Sequence, residues 1–385
     1  MKIGILTQPL HTNYGGILQA YALQQVLRSM GHEPITIDRP HTKTPLWRSL
    51  GSSFKRLILH YLLRRKNVKL FSPWQWLKDY EMISQHTRRF IKENIRTTES
   101  IDSNSKFSCL ENYDFNGYLV GSDQVWRPCY SPSIPTYFLD FVENKQNIVR
   151  VAYAASFGTD NWEFTPELTA HCSRLARKFD AVSVREDTAV RLCKQYLGID
   201  SKHVLDPVML LEEKSYLDLI EKDTTTSCDG DLMAYVLDQT QEKQQILSKV
   251  AFHLKLHPFS ALPSKSYEEV DRKNFCKCIF PPLTQWLRGF IDAKFIVTDS
   301  FHGTVLSIVF NKPFIAIGNE CRGMTRFTSL LKLFKIQDRL IYSTNDITPE
   351  KIAGAMDFSN INNILKKERS KSFEFLRDAL RLCDL

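Results

Sequence analysis

Apolar residues in this chain come in short runs that end in small or polar residues, and a stretch with helical spacing follows each run. The pattern is plainest over 294–318. There the β-branched and aromatic run KFIVT predicts a buried parallel strand, and TVLSIVF predicts a helix closing at Asn311-Lys312-Pro313. A second apolar strand leads to Gly318. The turn Thr298-Asp299-Ser300-Phe301-His302-Gly303 places His302 at a strand's carboxyl end and beside a helix N-terminus. Open α/β sheets bind ligands at that place, and free backbone N–H groups favour anions.

The same alternation opens the chain. A strand over 2–7 leads to a loop with Asn13-Tyr14-Gly15-Gly16, then a helix from Ile17 to Met30 stopped by Gly31, then a strand over 35–38. It resumes after Asn112 with strands over 118–120, 149–154, 181–184 and 204–205, and a helix over 166–179. A second unit follows the acidic, turn-rich stretch 212–231. It has strands over 232–237 and 254–257 and helices over 241–253, 283–291 and 329–334. The expected class is α/β, with two Rossmann-like domains facing a central cleft. Residues 1–210 form the first domain, 211–348 the second, and 349–385 a helical C-terminal segment. Residues 43–100 carry no strand pattern and read as a helical insert.

Charge singles out that insert. Between Lys43 and Arg96 stand thirteen Lys and Arg against three acids, a local excess larger than the +8 of the whole chain. Leu50, Phe54, Leu57, Ile58, Tyr61 and Leu62 form an apolar stripe flanked by Lys55, Arg56, Arg64, Arg65 and Lys66. A solvated helix packed on its domain is one reading; contact with an anionic membrane surface or glycan is the other. Nucleic acid is not expected, because Trp47, Phe71, Trp74 and Trp76 come with no RNA- or DNA-binding motif. The nine cysteines are scattered, which points to free thiols, and no cluster demands a metal. No apolar run reaches the ~18–20 residues that span a bilayer. The opening MKIGILTQPL reads as a strand rather than a signal segment, so a cytoplasmic location is expected, peripheral at the inner membrane face if the insert binds there.

Chemistry gathers at the strand ends and helix starts. The anion-friendly points are the Gly15-Gly16 loop, Arg185, His302, and Arg322 with Arg326 near another helix start. A doubly anionic small substrate fits such a set. The substrate-binding candidates are Asn13, Tyr14, Gly15, Gly16, Ser122, Asp123, Gln124, Ser156, Ser300, Gly303, Arg322 and Arg326. His302, Arg185 and Asp299 are the catalytic candidates. Asp123 and Asp299 are the carboxylates expected to orient a sugar or the histidine, each with a turn-capping role as the plainer reading. Trp126 reads as core. No phosphate loop, nucleophile elbow or dinucleotide fingerprint is present.

The ordered set Asn13-Tyr14-Gly15-Gly16, Leu18-Gln19-Ala20-Tyr21-Ala22-Leu23, Gly121-Ser122-Asp123-Gln124-Val125-Trp126 and Ser183-Val184-Arg185-Glu186 resembles the polysaccharide pyruvyl transferases. Asp206-Pro207, Asp299-Ser300-Phe301-His302-Gly303 and Arg326-Phe327-x-Ser329-Leu330-Leu331 continue it in the family's order, with 43–100 outside. The resemblance implies a GT-B-like arrangement of the two domains, with a terminal helix packing back toward the first. It also implies transfer of a pyruvyl unit from phosphoenolpyruvate, the donor substrate, onto two sugar hydroxyls as a cyclic ketal, with release of phosphate and no further cofactor. The acceptor would be a lipid-linked glycan or a nucleotide sugar. The family's histidine maps to His302 and its arginine to Arg185. Many relatives have Arg where this chain has Ser300 or Phe301, a departure for which Arg322 or Arg326 is the candidate substitute. A nucleotide-sugar glycosyltransferase, or a catalytically silent glycan-binding protein on the same fold, is the alternative.

Overall fold

A computed structural model describes residues 1–40, 73–131, 133–270, 272–319 and 323–381. The apolar stripe expected over 50–62 and Arg322 lie outside the described residues. Two parallel sheets carry the chain. The first contains β1 (Lys2–Leu6), β2 (Glu33–Thr36), β3 (Gly117–Val120), β4 (Val149–Ala155), β5 (Ala181–Val184) and β6 (Lys202–His203), in the order β2-β1-β3-β4-β5-β6. The second contains β7 (Leu232–Tyr235), β8 (Pro258–Phe259), β9 (Phe295–Thr298), β10 (Phe314–Ile317) and β11 (Leu340–Ile341), in the order β11-β10-β9-β7-β8. Each sheet reverses direction of growth once, between β1 and β3 and between β7 and β9. Chain leaving the carboxyl ends of two such strands diverges to opposite sides, which opens a crevice.

The central strands are buried along their whole length, Phe295–Thr298 and Phe314–Ile317 among them, which is why they read as unbroken apolar runs. Elements at the sheet edges depart more from expectation. The strand expected over 204–205 lies at Lys202–His203, because Ser183 and Val184 at the end of β5 pair with those two residues. The strand expected over 254–257 lies at Pro258–Phe259, because the preceding helix runs to Leu254 and closes on Lys255 in the left-handed conformation, φ 54°. The two-residue β11 is too short to leave a pattern.

One apolar cluster runs through both domains, from Ile3 and Tyr14 to Trp286, Phe290 and Leu330. Tyr14 is the joint. Its ring stacks on Trp286 with centroids 5.2 Å apart, and its hydroxyl donates to the Pro281 carbonyl at 2.6 Å. The last helix, Phe358–Arg381, lies against the first domain. Ser372 Oγ accepts from the Leu205 N–H at 3.1 Å, and Arg369 donates to the carbonyls of Met209 and Leu211. No helix among the described residues is long and apolar enough to cross a membrane.

Candidate active site

The carboxyl ends of both sheets meet at a cleft of about 270 Å³. From the first domain come Gln8, Pro9, His11 and Asn13 after β1, Gly16, and Asp123, Gln124 and Tyr130 after β3. From the second come Leu237 after β7, Asp299, Ser300, Phe301 and His302 after β9, and Arg326. Two helices start there. Asn13 caps Tyr14–Ser29, its Oδ1 accepting from Gly16 N–H at 3.3 Å. Ser300 caps Phe301–Val309, its Oγ accepting from Gly303 N–H at 3.4 Å. Both caps use the side-chain types that satisfy orphan N–H groups at a helix start. The two helix starts face each other, and a Cβ added to Gly15 would collide with the His302 imidazole. The glycine expected to let backbone approach a ligand therefore admits the histidine of the other domain.

Behind the cleft lies a buried charge cluster. Arg185, whose side chain is 1% exposed, donates through Nη1 to Asp206 Oδ2 at 2.7 Å and through Nη2 to Asp123 Oδ1 at 3.2 Å. Arg326 Nη1 stands 3.9 Å from the same Asp123 oxygen. Both guanidinium groups approach the Phe301 ring, Arg185 at 4.6 Å and Arg326 at 5.3 Å from its centroid. His302 Nε2 is 3.6 Å from Asp206 Oδ2. Burial alone would push the Asp206 carboxyl up, but His302 and Arg185 outweigh it and hold the group well below the usual carboxylate range. Asp123 goes the same way: burial raises it, and Arg185, His302 and Arg326 together bring it down. Burial and the neighbouring Arg185 lower Arg326 to about 10, so it stays a cation at neutral pH.

Of the residues the sequence singled out, Asn13, Gly16, Asp123, Gln124, Asp299, Ser300, His302 and Arg326 line this cleft. Others stand elsewhere. Arg185 sits one layer behind, engaged by two carboxylates. Tyr14 turns into the interdomain core. Ser122 donates from behind to Asp206 Oδ2 at 3.1 Å, and Ser156 donates to Glu186 Oε1 at 3.0 Å, away from the cleft wall. Gly303 lets its helix approach Thr298 and Tyr235. Asp299 has both oxygens occupied by the Leu237 and Asp238 N–H groups and by Lys243 Nζ at 2.6 Å. It ties the loop after β7. Trp126 is core, stacked on Phe138 at 4.8 Å.

Sequence reasoning passed over Asp206 as a site residue and Phe301 as a ring shared by two cations. The Asp-Pro pair ending a strand was a visible signal for the first. The second left none, since an aromatic at a helix start reads as core.

Two facing parallel-sheet domains with a polar cleft between the carboxyl ends of their strands define a Rossmann-like pair in the GT-B-like arrangement. Within that class, the family model for polysaccharide pyruvyl transferase matches residues 13–320. The chain belongs to that family, and so to the transferases. No curated protein matches its sequence. Among solved structures, the UDP-N-acetylglucosamine 2-epimerase from Rickettsia bellii is similar at 10% identity and TM-score 0.49, covering 100% of this chain and 97% of that one. A mutant O-GlcNAc transferase from Thermobaculum terrenum is similar at 10% identity and TM-score 0.47, covering 100% of this chain and 67% of the other.

Proposed function

We propose that this protein transfers the pyruvyl unit of phosphoenolpyruvate to two hydroxyls of a saccharide, forming a cyclic ketal and releasing phosphate. The observation that carries the reading is the meeting of His302 and Arg326 with two helix N-termini, one from each domain, in a single cleft. Cations and helix N-termini both favour an anion, and phosphoenolpyruvate brings a phosphate and a carboxylate together. Its central carbon becomes electrophilic once the methylene is protonated, while the attacking sugar hydroxyl must lose a proton. His302, on the cleft wall, is suited to move that proton. Arg326 faces the anion and limits charge as phosphate departs. Arg185 acts from behind, holding Asp123 and Asp206 in place.

The acceptor is a cell-surface or exopolysaccharide precursor carried on a lipid or a nucleotide. The basic stretch 43–100 supports an anionic membrane face as a partner and a peripheral cytoplasmic location. Phosphate release from phosphoenolpyruvate in the presence of candidate glycans tests the reaction. Turnover is expected in the wild type and a fall of about 10²-fold or more in His302→Ala. Near-normal turnover in that variant, or nucleotide release from an activated sugar in place of phosphate release, defeats the reading.

A further inference from the structure

Asp206 belongs to the first domain and His302 to the second, yet they face each other across the domain boundary at 3.6 Å. The carboxylate is wholly enclosed and held from several directions. Oδ2 accepts from Arg185 Nη1 at 2.7 Å and Ser122 Oγ at 3.1 Å, and Oδ1 accepts from Val208 N–H at 3.0 Å. Pro207 begins the single turn Pro207–Met209 and restrains the backbone next to it. A carboxylate fixed in this way cannot follow the imidazole; the imidazole must come to it. On the ring, Nε2 is enclosed, and Asp206 Oδ2 faces it at 3.6 Å.

We propose that Asp206 is a positioning residue for His302: a carboxylate carried by one domain takes the Nε2–H of an imidazole carried by the other, leaving Nδ1 to exchange protons with the substrate. The separation exceeds a charge-assisted hydrogen bond of about 2.7–2.9 Å by less than an ångström. Such contacts tighten when a substrate closes a site. Besides Asp206, the Asp123 carboxylate acts on the ring, while the first helix presents Gly15. Among the described residues, Asp206 alone stands at ion-pair distance from the ring.

The contact itself does not depend on the pyruvyl-transfer reading, although its catalytic meaning does, and the test separates the two. Imidazole nitrogen spectra of the ¹⁵N-labelled full chain, with the His302 signals assigned by their loss in His302→Ala, report the tautomer without any turnover. The proton is expected on Nε2 in the wild type, with the population moving toward Nδ1 in Asp206→Asn. A wild-type ring protonated on Nδ1 overturns the proposal even if the variant fails to fold. In the phosphate-release assay, Asp206→Asn is expected to lower kcat about 10–100-fold with KM for phosphoenolpyruvate within about threefold. In the His302→Ala background the same change should cost less than about twofold further. A loss confined to KM, or a full additional loss on His302→Ala, also overturns it. A wild type that releases no phosphate with any glycan defeats the reaction instead, and the tautomer still decides the contact.

Discussion

Gly15 shows how one missing side chain couples two domains. Its Cβ would occupy the space of the His302 ring, whereas a Cβ on Gly16 would have the side chain of Asn13 as its nearest neighbour, at 3.1 Å. Gly15→Ala should therefore destabilise the protein by about 1–3 kcal/mol through overpacking and displace the histidine, and Gly16→Ala should do less. Thermal melts of the two variants beside wild type check this; equal melting temperatures would contradict it. Asp123 offers a test by pH. Its carboxyl is depressed in the folded state, so the stability it contributes is complete above about pH 4 and is lost as pH falls through the folded value. The gap in urea midpoint between wild type and Asp123→Asn should thus be wide at pH 7 and shrink at acid pH. At this scale the sequence showed which side chains sit at strand ends, but not their partners. Asp123 and Asp299 looked alike as turn carboxylates. One restrains two arginines and the other a lysine with two backbone N–H groups, because distant segments supply those partners.

Ser300 is where a residue's role is set by its element. It lies on the cleft wall and also caps the helix that presents His302. Ser300→Ala should cost about 1 kcal/mol of stability through the lost cap. If capping is its whole contribution, KM for phosphoenolpyruvate stays at the wild-type value; a large rise in KM with unchanged stability would mark it as a direct ligand instead. The central strands and their helices were legible because they bury continuous apolar faces, and several of the helices carry a side-chain cap or close on a left-handed residue. Thr165, Thr240 and Ser300 cap in this way, and Gly198 closes its helix at φ 67°. Edge strands of two residues were not, since pairing with a neighbour defines them and local pattern does not.

For the molecule as a whole, the relation between the domains rests on apolar contact as much as on charge. Tyr14 links the first helix of one domain to Trp286 and Pro281 of the other within a single core. Tyr14→Ala should cost about 3–5 kcal/mol, and it should loosen the cleft as well. The expected signature is a lower melting temperature together with faster amide exchange at the start of the Tyr14–Ser29 helix. Exchange rates there that match wild type would place the joint elsewhere. The buried cluster of Arg185, Asp123 and Asp206 works on the same scale, because His302 reaches it only when the two sheets face each other.

Order along the chain could be read without coordinates: alternating strands and helices, glycines at turns, caps at helix starts, and imidazole and guanidinium groups beside sheet rims. Those features depend on spacing and on side-chain types within a few residues. Which carboxylate meets which cation could not be read so. Ser122, Arg185 and Asp206 are far apart in the chain and meet through the first sheet, while His302 and Arg326 join them only through the packing of one domain on the other. That packing is a sum of many weak apolar contacts with no local signature, and it is what turns a list of polar residues into one cleft.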